Sequence, residues 1–154
     1  MAKYFTYGEL TRSATADKLG IDNTPTDEAI QDNIIELMRV LDGIREGWTK
    51  KCKENYWGSA AIVVNSGYRC DELNEAINGS KTSAHSIGSA ADIEPANGKN
   101  REFLRFVEQY LLDNHIPFDQ LINEKPVNGI PSWIHIGLKN REGKQRRMVF
   151  TIKG

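Results

Sequence analysis

One long amphipathic segment, residues 24–51, places the strongest constraint on how this chain can fold. Large apolar side chains recur in it at steps of three and four residues: Ile30, Ile34, Leu37, Leu41, Ile44 and Trp48. This spacing puts them on one face of an α-helix that packs against a core. Thr24 before Pro25 predicts an N-cap with proline at the first helical position. Asp27 and Glu28 then lie at the positive end of the helix dipole, which favours acidic side chains.

Shorter elements follow this segment, and most of the strands come last. Strands are predicted at residues 60–64, 90–94, 118–123, 133–138 and 147–152. Helices are predicted at residues 71–77 and 100–114. Helices first and strands last are typical of α+β proteins with antiparallel sheets. We therefore predict an α+β fold with a small, mostly antiparallel sheet flanked by helices.

A length of 154 residues agrees with a single domain, residues 1–154, that can bury a substantial core. Residues 1–23 are polar and rich in turn-forming residues. We expect this N-terminal lead-in to form short helical turns packed on the domain, anchored by Phe5, Leu10 and Leu19.

The charge balance argues against a dedicated nucleic-acid binder, because 20 basic and 21 acidic residues leave a net charge of -1. The densest basic cluster, Lys144, Arg146 and Arg147, is interpreted as a solvated strand end. No apolar run approaches the roughly 18 residues of a membrane span, so no membrane insertion is expected. The N-terminus lacks the apolar stretch of a secretory signal, which predicts a cytoplasmic protein. Cys52 and Cys70 are then expected as reduced thiols, with a single bridge between them as the alternative.

Three histidines and one aspartate are the residues that could hold a metal ion. Small residues between His85 and Asp92 allow a tight turn into a strand, so both side chains could converge on one point. His135 alternates with Ile134 and Ile136, and on a strand it would face away from the core. Catalytic zinc commonly has three protein ligands and an open fourth position. Spacing alone leaves these residues open to ordinary structural roles, and His115 is better explained as a helix C-terminal cap.

Four strings occur in an order that resembles the M15 family of zinc peptidases, the D-alanyl-D-alanine carboxypeptidase group. They are SGYRC at 66–70, SAHSIGSAADI at 83–93, FDQLINE at 118–124 and WIHIG at 133–137. The lead-in also resembles that of small family members from phages and bacteria. The resemblance covers nearly the whole chain and implies the fold shared by these peptidases and the amino-terminal domain of Hedgehog proteins.

Position by position, the resemblance implies one Zn²⁺ per chain, bound by His85, Asp92 and His135. It also implies that Arg69 binds substrate near its carbonyl or terminal carboxylate. Ser83 would bind substrate or hold the loop of the first ligand, with a simple turn residue as the equal alternative.

The general base departs from the family pattern. Family members place a carboxylate three residues before the last ligand or a histidine two before it, and here those positions are Ser132 and Trp133. Glu124, at the end of FDQLINE, is the preferred base, and Asp119 on the same predicted strand is the alternative.

The expected function is zinc-dependent hydrolysis of peptide bonds in bacterial peptidoglycan stem peptides. Removal of a terminal D-alanine and cleavage within the stem peptide, as by phage lytic enzymes, fit equally well. Cleavage within the stem peptide implies release of the protein to the cell wall by a phage-type lysis route. A monomer is the favoured oligomeric state. A non-catalytic zinc-containing binding or structural module of the same fold is the alternative, supported by the residues at 132 and 133.

Overall fold

The computed structural model describes residues 3–154, which form five α-helices, one 3-10 turn and five strands. The helices are α1 (Tyr7–Thr11), α2 (Ala14–Leu19), α3 (Glu28–Asn55), α4 (Asp71–Ala76) and α5 (Asn100–Asp113). The strands are β1 (Ile62–Ser66), β2 (Ala90–Pro95), β3 (Gln120–Glu124), β4 (Trp133–Gly137) and β5 (Met148–Ile152). The 3-10 turn spans Ala84–Ile87. The predicted α+β class is therefore confirmed.

All five strands belong to one sheet in the order β1-β2-β4-β3-β5. The pairs β1–β2, β2–β4 and β3–β4 are antiparallel, whereas β3 and β5 run parallel. The sheet is thus mixed, although most of its pairings are antiparallel as predicted. The parallel pair forms because the chain leaves β4 and crosses to the outer side of β3 before β5 begins.

The long helix α3 begins later than the Thr24–Pro25 pair predicts. The carboxylate of Asp27 caps it, accepting the backbone N–H groups of Ala29 at 2.8 Å and Ile30 at 3.4 Å. A carboxylate can accept two of the N–H groups that a helix start leaves unpaired, so it is an effective cap. At the other end, Tyr56 adopts a left-handed conformation with φ of 57°.

The core lies between the helices and one face of the sheet. Trp48 of α3 is fully buried and packs edge-on against Phe103 of α5, with ring centroids 5.0 Å apart. Alternate strand residues complete this core: Ala91, Ile93, Leu121, Ile134 and Ile136. The residues between them point to the opposite face of the sheet, because side chains alternate along a strand.

The N-terminal lead-in forms two short helices on the rest of the fold, as predicted. Phe5 and Leu10 are buried in the core, but Leu19 is 53% exposed, so its prediction as an anchor is wrong. Leu19 is the last residue of α2, and Ala16 is the residue through which that helix is buried. The Leu10 carbonyl accepts the N–H of Tyr68 at 2.7 Å. A Cβ at Gly67 would clash with the Leu10 backbone, so only glycine permits this approach.

Cys52 is buried in the core and Cys70 is partly exposed, and both are free thiols. Within residues 3–154, no helix combines the length and the apolar composition that a bilayer crossing requires.

Candidate metal centre and active-site cleft

The register of the sheet places two of the predicted ligands side by side. Asp92 of β2 lies directly opposite His135 of β4, and His135 lies opposite Ile122 of β3. Residues paired in this way point to the same face of a sheet. Ile134 and Ile136 are in the core, so Asp92 and His135 face away from it, and for His135 the alternation in the sequence predicts this orientation.

The third predicted ligand, His85, reaches the same point from the 3-10 turn. Ser83 begins this turn by accepting the N–H of His85 at 3.2 Å, and Gly88 ends it with φ of 77°. A side chain at Gly88 would be strained in this conformation and would crowd Ile34 and the Ile30 carbonyl. The turn therefore packs closely on α3 and carries His85 into the face of the sheet.

The three side chains converge. His85 Nε2 lies 3.3 Å from Asp92 Oδ1, and His135 Nδ1 lies 3.1 Å from the same oxygen. One ligand atom from each residue lies within 4.8 Å of the other two. Ligands about 2.0–2.2 Å from a tetrahedral zinc ion are roughly 3.3–3.6 Å apart, so the two shorter separations are close to those of ligands that share one ion.

The hydrogen bonding of His85 also fits a metal ligand. Its Nδ1 lies 2.8 Å from the carbonyl oxygen of Gly67, which can only accept, so Nδ1 carries the hydrogen. Burial lowers the pKa of His85, against the raising effect of Asp92, and this favours the neutral ring. Nε2 of that ring then presents a lone pair to an oxygen of Asp92. Two acceptors at this distance repel unless a cation lies between them, and a carbonyl partner on the remote nitrogen is typical of ligating histidines.

Asp92 is held in its charged form. Burial raises the pKa of its carboxyl, but the adjacent imidazoles of His135 and His85 outweigh burial and bring the pKa below its ordinary value. The other nitrogen of His135, Nε2, is buried and has no hydrogen-bond partner among the described residues. An anionic carboxylate beside two imidazoles is a donor set that suits zinc.

Arg69 borders this centre from the loop after β1. Its backbone N–H binds the His85 carbonyl at 3.1 Å, and its Nη2 donates to Ser83 Oγ at 3.3 Å. Its Nε is buried without a hydrogen-bond partner among the described residues. Burial lowers the pKa of Arg69, and the charge of Asp92 opposes this shift. An incompletely paired, partly buried guanidinium is suited to bind an anion.

Glu124 faces the same side of the sheet as His135. Ile122 lies opposite His135, and Glu124 is two residues further along β3, so both point the same way. Burial and the charge of Asp92 raise the pKa of Glu124. Trp133 lies beside it, whereas Ser132 donates its hydroxyl to the Lys125 carbonyl in the β3–β4 connection.

The alternative base, Asp119, is already paired. Arg146 donates to it from Nε at 2.7 Å and from Nη2 at 2.9 Å, and the Arg146 backbone N–H donates at 3.0 Å. These bonds lower the pKa of Asp119, although burial opposes them. A buried carboxylate with both oxygens occupied is poorly placed to accept a proton.

One cleft of about 560 Å³ joins these residues. The residues predicted from the sequence all line it: Arg69, Ser83, His85, Asp92, Asp119, Glu124 and His135. His115 does not; it is exposed after the end of α5 with φ of 52°. The structure thus brings the predicted set together, and the roles of its members as ligands, base and substrate contacts stay predictions.

Sequence reasoning missed three participants. The Gly67 carbonyl is a backbone atom, and no sequence pattern marks it. Asn23 donates to the carbonyls of Thr11 and Tyr68 and accepts the N–H of Cys70, all through backbone partners. Arg146 was interpreted as a solvated strand end, but it pairs with a carboxylate 27 residues earlier. Its basic neighbours were the only signal, and they do not identify a partner.

Comparison with known proteins identifies the family of the chain. A model of the peptidase M15 family matches residues 3–136, which include every predicted site residue. No curated protein matches the chain. The match spans most of the sequence and includes the His–Asp–His cluster, and the chain therefore belongs to the peptidase M15 family.

Proposed function

We propose that this chain is a zinc-dependent peptidase that hydrolyses peptide bonds in bacterial cell-wall peptides. The observation that carries the proposal is the convergence of His85, Asp92 and His135, with the His85 hydrogen directed to the Gly67 carbonyl. Three protein ligands leave a fourth position for water or substrate, as in catalytic zinc sites. Zinc bound there would polarise the scissile carbonyl and lower the pKa of a coordinated water towards about 7.

Glu124 is the residue proposed to move the proton. It lines the cleft on the same face as His135, and its raised pKa is nearer to the range in which a carboxylate is an effective base. It would take a proton from the attacking water and deliver it to the departing amine nitrogen. Ser132 and Trp133 cannot do this, because neither a hydroxyl committed to a carbonyl nor an indole is a base at neutral pH.

Arg69 is the residue proposed to hold the substrate. Arg69 lines the cleft, and the one hydrogen bond that its guanidinium makes to the described residues goes to Ser83. A substrate carboxylate would restore the hydrogen bonds and the charge balance that burial removes. Cell-wall stem peptides are short and carry carboxylates, so they suit this arrangement. Removal of a terminal residue and cleavage within the stem both present an anionic group to Arg69.

Digestion of purified peptidoglycan and of a synthetic stem pentapeptide tests the proposal. The zinc-loaded chain should release D-alanine or new amino groups, a chelator should abolish release, and added Zn²⁺ should restore it. Mass spectrometry of the products identifies the bond. His115→Ala is the matched control, because it removes a histidine outside the cleft and should leave release unchanged. A chain that binds one zinc ion and cleaves neither material would instead support a non-catalytic module.

A further inference from the structure

Two more guanidinium groups line the cleft besides that of Arg69. Arg141 donates to the Lys81 carbonyl at 3.1 Å and lies 3.8 Å from Asp71. Arg146 lies at the opposite edge of the sheet from Arg69. Arg69 follows β1, which is one edge strand, and Arg146 precedes β5, which is the other. We name residues 137–154 the C-terminal wall; it contributes to the cleft Asn140, Arg141, Glu142, Arg146, Phe150 and Ile152. This wall lies beyond the part of the chain that the family model matches.

A buried carboxylate orients Arg146. Asp119 is 2% exposed, and its two oxygens accept Nε and Nη2 of Arg146 in a bidentate pair. The Asp119 backbone is itself held, because its N–H donates to the Gly137 carbonyl at 2.9 Å. Because Asp119 already holds one edge of the planar guanidinium, Arg146 loses little further side-chain conformational entropy when the other edge binds an anion.

The rest of the Arg146 guanidinium is available. Arginine has five N–H donors, and Asp119 engages Nε and one position on Nη2. The described residues accept no other hydrogen bond from this guanidinium, and the side chain is 43% exposed where it lines the cleft.

Attachment of β5 does not explain the pair. The backbone already anchors this strand, since Arg147 donates to the Phe118 carbonyl at 3.0 Å and Met148 to the Asp119 carbonyl at 2.8 Å. The parallel ladder of β3 with β5 continues from there. An arginine that only held β5 in place would add little to these backbone hydrogen bonds, and this role would not require its side chain to line the cleft.

We propose that Arg146 is a specificity-determining residue that binds a second carboxylate of the substrate, with Asp119 as its positioning residue. The proposal rests on the proposed peptidase function and names its substrate class: an acidic peptide with two carboxylates, one bound by Arg69 and the other by Arg146. Phe150 and Ile152 of the same wall would contact the apolar parts of the residue that carries the second carboxylate.

Four versions of one stem-like peptide test this. The four versions combine a free or an amidated terminal carboxyl with either glutamate or glutamine at one position. The set is repeated with that position moved through each residue before the cleaved bond. The zinc-loaded full-length chain is assayed for kcat/KM, and calorimetry on a Glu124→Gln background gives the dissociation constant without cleavage. The variants are Arg146→Gln, Asp119→Asn and Arg69→Gln. Arg147→Gln is the matched control, because it removes the same charge from an exposed neighbour that does not line the cleft.

In the wild type, one glutamate position should be preferred over glutamine. Arg146→Gln and Asp119→Asn should reduce that preference about tenfold in both measurements and leave the preference for a free terminus unchanged. Arg69→Gln should do the reverse, and Arg147→Gln should change both preferences less than twofold. If Arg146→Gln fails to fold, Arg146→Lys takes its place and should reduce the preference several-fold, because lysine lacks the fork.

An unchanged glutamate preference in folded Arg146 variants would overturn the inference, as would equal losses on all four peptides. The calorimetric dissociation constants distinguish failure of the Arg146 proposal from failure of the proposed peptidase function. Arg146-dependent binding without cleavage would overturn the peptidase proposal alone, whereas a chain that neither cleaves nor binds these peptides would overturn both.

Discussion

The two walls of the cleft are built in different ways. We name residues 66–92 the N-terminal wall; it holds Arg69, Ser83 and His85 and is covered from behind by the lead-in. Asn23 braces it, binding the Tyr68 carbonyl at 2.9 Å and the Cys70 N–H at 2.7 Å, one on each side of Arg69. The C-terminal wall is a loop followed by the edge strand β5, which has partly exposed apolar residues such as Val149, 45% exposed.

This difference indicates a division of tasks. In the N-terminal wall, the buried Asn23 amide holds the backbone around Arg69, and the Gly67 carbonyl holds His85, so errors there should affect every substrate. The C-terminal wall presents Arg146, oriented by Asp119, just before an edge strand, so errors there should affect the choice among substrates. Variants of the metal centre, of each wall and of the lead-in test this division.

Removal of a proposed ligand should have the largest effect. His135→Ala or Asp92→Ala should reduce zinc from about one ion per chain to near none after dialysis, because two remaining ligands bind zinc weakly. Peptidase activity should fall to the detection limit. Elemental analysis of the dialysed protein measures the metal directly. His115→Ala should retain its zinc, and the proposed ligand set is wrong if it loses the ion while His135→Ala keeps it.

Glu124→Gln should come next, since it preserves shape and removes the base. Turnover should fall by about two to four orders of magnitude, the usual contribution of a positioned general base, while zinc content stays the same. Glu142→Gln is the control: Glu142 also lines the cleft, but it is exposed and pairs with Lys144 at 3.5 Å. Activity within a few-fold of wild type in Glu124→Gln would remove this residue from the mechanism.

Arg69→Ala should lower kcat/KM by roughly ten- to a hundredfold, because a hydrogen bond to a charged group contributes about 1.5–3 kcal/mol. The loss should be larger for peptides with a free terminal carboxylate than for their amides, and zinc content should be unchanged. Kinetics on the two peptide forms measure this. Equal losses on both forms would mean that Arg69 does not bind the terminal carboxylate.

Asn23→Ala should have a smaller effect on activity and a clear effect on stability. It leaves the Cys70 N–H and two carbonyls without their partner, which should lower the free energy of unfolding by about 1–3 kcal/mol. We expect kcat/KM to fall several-fold on all peptides, since Arg69 loses its brace. Asn114→Ala, at an exposed helix end, is the control for chemical denaturation. Lower stability with unchanged kcat/KM would make the lead-in a purely structural support.

The smallest effect should be a pH-dependent one on the C-terminal wall. Because Arg146 holds the pKa of Asp119 below its ordinary value of about 4, the folded state favours the carboxylate. The resulting stability is present above about pH 4 and is lost as the pH falls through the lowered pKa. The Tm difference between wild type and Asp119→Asn should therefore narrow between pH 6 and pH 3. If the Tm difference stays constant over this pH range, the Asp119–Arg146 ion pair is not what causes it.

Local patterns predicted most of the elements and the side of the sheet that His135 faces. The periodicity of residues 30–48 predicted α3, and the isoleucines around His135 predicted its orientation, because both depend on residues close in sequence. The start of α3 and the burial of Leu19 were predicted wrongly. Several residues in each segment could serve as the helix cap or as the anchor. The packing of the rest of the fold determines which of them does.

For the site, the sequence by itself determined which side chains could form it: few histidines, an aspartate entering a strand, and an arginine and a glutamate in recognisable strings. Only the tertiary structure decided how they are held. The Gly67 carbonyl on His85, the Asn23 brace around Arg69 and the Asp119–Arg146 pair join residues that are 18 to 47 positions apart. Backbone carbonyls and N–H groups occur at nearly every residue, so their use as partners leaves no mark in the sequence and is set by the packing of distant segments.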